Sequence, residues 1–165
     1  MAEPFTSIPD TLSLYRIPEA ILHSTARAFR EVGIGERESV ALWQGQIVNE
    51  FEAIITKLHV PKQVAGPLHF NVPLEERIRL VREVSSQNEF ILVQLHTHPR
   101  EAFHSDVDDR LAITKHKGAL SIVIPDFGMQ WQGDLLQTSV NRNLGGGQWV
   151  ELPDFEVSRI LVVES

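Results

Sequence analysis

Two histidines and a group of acidic residues lie close together between His96 and Asp109. The apolar run from Phe90 to Leu95 has the length of a strand, which places His96 and His98 at its C-terminal end. Side chains two residues apart on a strand point to the same face, so both imidazoles can converge on one metal ion. The sequence therefore predicts two metal ligands at the mouth of a buried strand.

A helix start follows these histidines and can supply a carboxylate. Pro99 ends the strand because it has no N–H to give to the sheet, and Ser105 is a typical N-cap residue. Two imidazoles and one carboxylate would leave the fourth position of a tetrahedral zinc open, as in catalytic sites. The candidate acids in the first turn of this helix are Asp106, Asp108 and Asp109.

Each half of this arrangement also has an ordinary structural explanation. Histidines are common at strand ends, and acidic residues complement the dipole of any helix N-terminus. The thirteen residues from His96 to Asp108 contain both features, however. Two polar imidazoles after a buried strand need partners, and an acidic turn supplies them. We therefore favour a metal site over packing alone.

The segment resembles the motif of the JAMM (JAB/MPN) metalloproteases. That motif is His-x-His-Pro, a short gap and Ser-x-x-Asp. The gap between Pro99 and Ser105 is five residues here, which is shorter than in the family pattern. The resemblance covers most of the chain, from about position 18 to about position 127. The matching residues are His96, His98, Pro99, Ser105 and Asp108.

An upstream glutamate extends the resemblance. The family pattern Glu-x-x-Gly-Leu-Leu-x-Gly is matched by residues 38–45, ESVALWQG, with Glu38 as its first residue. Ala41 and Trp43 depart from the pattern. Without the resemblance, Glu38 would be interpreted as a solvated acid at a strand mouth.

The resemblance implies a zinc-dependent isopeptidase with one Zn²⁺ per chain. His96, His98 and Asp108 would hold the metal, which polarises the scissile carbonyl and activates a water. Glu38 would be the general base, and Ser105 would donate a hydrogen bond to the oxyanion. The implied substrate is the amide bond at the C-terminus of a ubiquitin-like protein, in deconjugation or precursor processing.

The resemblance also implies partners. The first is a ubiquitin-like protein or its conjugate. The short chain also resembles a bacterial branch of the family, some of whose members belong to anti-phage systems, and this branch implies E1-like and E2-like partners. Two alternatives remain open. One is a hydrolase acting on a sulfur carrier or a small peptide adduct, and the other is a non-catalytic module that binds a ubiquitin-like protein. The intact ligand set and Glu38 argue against the module.

A loop rich in proline and glycine, Val60 to Pro73, precedes the second predicted helix. Loops of this length are often binding segments, and the resemblance places this one beside the catalytic groove. We expect Leu68, His69 and Phe70 to contact substrate, although a plain surface connection explains the loop equally well. His104 lies close to the predicted ligands and could line the site or support a ligand through a hydrogen bond.

The composition bounds the class of protein. The 165 residues fit one domain, 1–165, with an extended lead-in over 1–17. The net charge of −7 argues against nucleic acid, and no apolar run approaches the length of a membrane span. The absence of cysteine excludes disulfides and thiolate zinc sites and suits the cytoplasm.

The remaining pattern predicts an α/β fold, with a mixed central sheet flanked by helices. The family resemblance implies a layout like that of JAMM proteins and cytidine deaminases. Pro18 begins a helix that Gly33 ends. A second helix, 74–84, is amphipathic, with Leu74, Ile78 and Val81 predicted to face inward. The predicted strands are 12–16 (a possible edge strand), 38–43, 47–59 after a turn at 44–46, 90–95, 120–125, one within 129–140, 148–152 and 157–163.

Overall fold

The computed structural model describes residues 3–102 and 112–165. They form an eight-stranded mixed sheet and a separate two-stranded sheet. The strands are β1 (Leu14–Pro18), β2 (Val40–Asn49), β3 (Glu52–His59), β4 (Val64–Ala65), β5 (Phe70–Asn71), β6 (Phe90–Thr97), β7 (Leu120–Ile124), β8 (Ser139–Gly145), β9 (Gln148–Glu151) and β10 (Leu161–Glu164). The helices are α1 (Glu19–Gly33), α2 (Leu74–Ser86) and α3 (Asp154–Ile160), with 3-10 turns at Asp126–Gly128 and Leu135–Gln137.

The large sheet runs in the order β10-β1-β3-β2-β6-β7-β8-β9. Strands β2 and β6, which carry the predicted site, are antiparallel neighbours near its centre. The β6–β7 pair is parallel, and the β7–β8 pair is antiparallel. The predicted α/β fold with a mixed central sheet and flanking helices is therefore confirmed.

Helix α1 packs in the larger of two hydrophobic clusters, on the face of the sheet that carries Trp43. Pro18 directly precedes it, at a position where a missing N–H costs nothing. Trp43 on β2 donates its indole N–H to the hydroxyl of Thr25 at 3.0 Å. The buried residues of α1 recur at helical spacing and are Leu22, Thr25, Ala26, Phe29 and Gly33.

Helix α2 belongs to the smaller cluster, on the opposite face, and its inward side differs from the predicted one. The predicted inward residues are exposed: Leu74 (71%), Ile78 (43%) and Val81 (56%). The buried residues are instead Glu76, Leu80 and Val84. The prediction is wrong because this helix carries apolar residues on two sides, and periodicity alone cannot choose between them.

The predicted turn at 44–46 is also wrong. Strand β2 continues through it to Asn49, with a bulge between Gln44 and Gly45. A Cβ at Gly45 would lie 2.5 Å from the carbonyl oxygen of Ile54 and 2.6 Å from Cδ1 of Leu92. Glycine is therefore needed here for close packing between neighbouring strands, and not for a turn.

The C-terminal region corrects two further predictions. Residues 157–163 do not form one strand, because α3 extends to Ile160 before β10 begins. Strand β10 pairs in parallel with β1, with Tyr15 opposite Leu161, so β1 lies inside the sheet and not at its edge. The strand predicted within 129–140 begins only at Ser139. In the described part of the chain, no helix is long and apolar enough to cross a membrane.

Candidate metal centre

His96 and His98 lie at the C-terminal end of β6, as predicted. His96 is within the strand and His98 follows its last residue, Thr97. Both side chains are buried, with 1% and 6% of their surface exposed. Their ring centroids lie 5.1 Å apart, and the ring planes are inclined at 55°. The two imidazoles therefore form one compact pair on one face of the sheet.

The donor set of this pair suits a zinc ion. Neutral imidazole nitrogen is a common zinc ligand, at about 2.0–2.1 Å from the metal. Two rings that share a tetrahedral ion at that distance have centroids about 5 Å apart, which agrees with the separation of His96 and His98. The residues present therefore fit the metal that the sequence motif implies.

Glu38 reaches the same place from the neighbouring strand. Val40 on β2 pairs with His96, so two residues further along this antiparallel register Glu38 lies opposite His98. Opposite residues of an antiparallel pair project from the same face. Glu38 is also buried, at 7% exposed. The acid predicted to be the general base thus shares a face with both imidazoles.

Ser39 and Thr97 fasten the two strands together at this mouth. The N–H of Thr97 donates to the carbonyl oxygen of Ser39 at 3.1 Å. The N–H of Ser39 donates to the hydroxyl oxygen of Thr97, also at 3.1 Å. Because these residues alternate with Glu38, His96 and His98, their bonds hold the backbone without occupying the site.

Gln63, in the loop predicted to flank the site, binds the backbone of Val40. Its Oε1 accepts from the Val40 N–H at 2.8 Å, and its Nε2 donates to the Val40 carbonyl oxygen at 2.9 Å. Strand β3 ends at His59, opposite Leu42, and so does not reach Val40. The side-chain amide of Gln63 thereby replaces the peptide that a longer β3 would supply. This residue is missed by sequence reasoning because no motif marks it.

The start of the same loop is anchored to α2. The N–H of Lys62 donates to a carboxylate oxygen of Glu76 at 3.1 Å, and Arg79 donates to both oxygens of that carboxylate at 2.9 and 2.8 Å. The hydrogen bonds from Arg79 and Lys62 lower the pKa of Glu76 to about 2. Glu76 therefore stays ionised and keeps the loop attached at neutral pH.

Leu68, His69 and Phe70, the predicted substrate contacts, divide into two kinds. Leu68 is 76% exposed, and His69 is exposed as well. Phe70 is buried against Val40 and neighbouring apolar residues, and its ring centroid lies 5.7 Å from that of His96. Phe70 is thus a wall of the histidine pair, whereas Leu68 and His69 remain available to a ligand.

The predicted residues His104, Ser105 and Asp108 lie outside the described residues, and their roles stay predictions. The described chain on either side of residues 103–111 is held by hydrogen bonds. The carbonyl oxygen of Arg100 accepts from the N–H of Asp126 at 2.9 Å, and the N–H of Ile113 donates to Oε1 of Gln94 at 2.8 Å. Within 3–102 and 112–165, no three acidic or imidazole side chains form a metal-binding group.

Comparison with known proteins finds similarity to a probable metalloprotease. The chain is 28% identical over 153 residues to a probable metalloprotease, y4jG, of Sinorhizobium fredii, which covers 90% of this chain and 93% of that protein. No family model matches the chain.

Two solved structures share the fold. The solution structure of protein DSY2949 from Desulfitobacterium hafniense is 14% identical, with a TM-score of 0.66 over 92% of this chain and 93% of that one. The crystal structure of AF2198, a JAB1/MPN domain protein from Archaeoglobus fulgidus, is 16% identical, with a TM-score of 0.52 over 92% of this chain and 99% of that one.

The curated relative and the shared fold support a metal-dependent hydrolase. The histidine pair at the end of β6 supplies two side chains suited to hold its metal. The resemblance to the JAMM (JAB/MPN) metalloprotease family is therefore confirmed, by a JAB1/MPN fold and by similarity to a probable metalloprotease along nine-tenths of the chain.

Proposed function

We propose that the protein is a JAMM-type zinc isopeptidase that hydrolyses the amide bond at the C-terminus of a ubiquitin-like protein. The observation that carries this proposal is the buried pair His96 and His98, with Glu38 on the same face of the neighbouring strand. A site with two imidazoles and a third acidic ligand leaves one metal position for reacting groups. By the family resemblance, Asp108 is that third ligand.

A bound Zn²⁺ would supply polarisation of the scissile carbonyl and would acidify the attacking water. Glu38 accepts the proton of that water and passes it to the leaving amine. Its burial suits this role, since a carboxylate screened from bulk water transfers protons locally. Ser105 donates a hydrogen bond to the developing oxyanion, a contribution of about 2.7–4 kcal/mol in comparable sites.

The small hairpin formed by β4 and β5 is an argument in favour of a polypeptide substrate. Its tip is closed by a bond from the N–H of Gly66 to the carbonyl oxygen of His69, at 2.8 Å. Val64 and Leu68 project from it with 63% and 76% of their surface exposed. Exposed apolar side chains beside a catalytic centre suit an extended chain segment. The C-terminal tail of a ubiquitin-like protein is such a segment.

The setting we propose is a bacterial conjugation system, with E1-like and E2-like partners and a role in anti-phage defence. A second candidate function, implied by the same resemblance, is hydrolysis of a sulfur carrier or a small peptide adduct. A binding module without catalysis is less well supported, because Glu38 and both histidines are present and buried together.

Hydrolysis of a ubiquitin-like protein with a C-terminal fluorescent amide tests the proposal. The zinc-loaded protein should release the fluorophore, and the chelated protein and His96→Ala should not. His23→Ala is the matched control, because His23 is an exposed histidine on α1. Hydrolysis that survives chelation would refute the metal mechanism. Release from a short peptide amide at the same rate would favour the small-adduct alternative.

A further inference from the structure

The turn at Asp126–Gly128 has an unusual backbone. Three consecutive residues lie in the left-handed region, with φ of 52° at Asp126, 54° at Phe127 and 71° at Gly128. This region is uncommon for residues other than glycine and is a clear outlier for a bulky residue such as Phe127. Strain of this kind persists only where surrounding contacts impose it, and it is concentrated at functional sites.

The contacts that impose this conformation run to the metal-site segment. The N–H of Phe127 donates to the carbonyl oxygen of His98 at 2.7 Å, and the N–H of Asp126 donates to that of Arg100 at 2.9 Å. The N–H of His98 donates in turn to Ile124 at 2.9 Å. The regular β6–β7 register ends at the pair Thr97 and Ile124. The turn therefore continues the backbone hydrogen bonding between the two segments beyond the ends of β6 and β7.

Helix α1 holds the turn from behind. A Cβ at Gly33 would overlap the carbonyl oxygen of Phe127. A Cβ at Gly128 would lie 2.8 Å from the Cβ of Phe29 and 3.3 Å from Cγ2 of Thr97. The helix and the turn thus approach each other as closely as glycine permits, and Phe127 itself is buried. The turn has little room to move away from the strand end.

We infer that Asp126 and Phe127 are positioning residues for the metal ligand His98. Pro99, the residue after His98, has no N–H that could form a hydrogen bond. The turn instead holds this backbone through the carbonyl oxygens of His98 and Arg100. A metal site must keep its ligands within about 0.5 Å of their working positions. The left-handed turn supplies that restraint through the backbone. This inference rests on the proposed metal site.

Two substitutions at Asp126 separate the conformation of the turn from its side chain. The Asp126 side chain is exposed, so neither change opens a cavity. Asp126→Asn keeps the left-handed conformation, which asparagine tolerates, whereas Asp126→Val disfavours it because valine is β-branched. Loss of groups that orient metal ligands typically lowers metal affinity about 10–100-fold. We expect a decrease of that order in Asp126→Val and none in Asp126→Asn.

A second pair of variants changes the contact between α1 and this turn. Gly33→Ala pushes against the carbonyl oxygen of Phe127, and should weaken metal binding in the same way without changing the turn's own sequence. Gly35→Ala, two residues beyond the end of the helix, is its matched control. There a Cβ would lie 3.1 Å from the side chain of Arg37, which can move aside.

The measurement is titration of each metal-free variant with Co²⁺, followed by its visible absorption, beside thermal unfolding of the same preparation. The expected result is weaker Co²⁺ binding in Asp126→Val and Gly33→Ala, with a folded protein and unchanged controls. A lower melting temperature with unchanged affinity would show a merely structural role and overturn the inference. If the unchanged protein binds no Co²⁺, the proposed function fails together with it. If the unchanged protein and all four variants bind equally, the inference fails alone.

Discussion

The backbone N–H of Glu38 donates to the carbonyl oxygen of Gly66 at 2.7 Å. This bond joins the strand mouth that carries the predicted general base to the hairpin that carries the predicted substrate contacts. Gln63 adds a second attachment two residues along β2, at Val40. Three hydrogen bonds therefore attach the segment that carries the predicted base to the loop that carries the predicted substrate contacts.

Glu38→Gln should abolish most of the hydrolysis while leaving the metal in place. The amide keeps the shape of the carboxylate and one acceptor oxygen but cannot accept the proton, and general acid–base catalysis supplies about 10²–10⁴-fold. Turnover of the ubiquitin-like protein with a C-terminal fluorescent amide should fall by that factor, and zinc should remain near one ion per chain. Both are measured on one preparation. Unchanged turnover would remove Glu38 from the mechanism, and lost zinc would make it a ligand.

Asp108→Ala should lose the metal, and Asp109→Ala should keep it. On the helix that the sequence predicts from Ser105, Asp109 would be rotated by about 100° from Asp108. Metal analysis of the two variants after dialysis decides between them, with His23→Ala as a control. Metal lost only in Asp109→Ala would show that the short gap after Pro99 shifts the register of the ligand by one residue.

Leu68→Ala and Phe70→Ala should have different effects, although both residues are predicted substrate contacts. Leu68 is exposed, so its truncation should change the free energy of unfolding by less than about 0.5 kcal/mol while raising KM for the ubiquitin-like fluorescent amide. Phe70 is buried against His96, so its truncation should cost about 3–5 kcal/mol. Chemical denaturation and steady-state kinetics give both quantities. An unchanged KM in Leu68→Ala would exclude that side chain from the substrate groove.

His116 should make the free energy of unfolding depend on pH. Burial lowers the pKa of His116 from 6.5 to about 4 in the folded protein, so below pH 6.5 the unfolded chain binds a proton that the folded chain does not. The stability of the metal-free protein relative to His116→Gln should therefore decrease as pH falls from 6.5 to 4. Denaturant titrations across this range measure the difference. A flat difference between the two proteins across this range would contradict the prediction.

The placement of the two candidate histidines on one face was predictable from the sequence because their arrangement is local. Alternation along a strand is a property of the backbone itself, so His96 and His98 fall on one face wherever the strand lies. Pro99 marks the strand end for an equally local reason. Glu38 is different, since only the family motif distinguishes it from any other acid at the start of a strand.

Tertiary structure decided what depends on contacts between distant segments. The inward side of α2 follows from the bond that the Lys62 N–H donates to Glu76 and from the apolar surface that Leu80 meets, which helical periodicity does not contain. Gly45 is a point of close packing because Ile54 and Leu92 lie against it. The antiparallel register that brings Glu38 opposite His98, and the left-handed turn at Phe127 that holds His98, arise only when separate strands and α1 pack together. The local sequence predicts the periodicity of each element. The register between strands, the buried side of a helix and the strained backbone of a turn are set by packing between segments far apart along the chain.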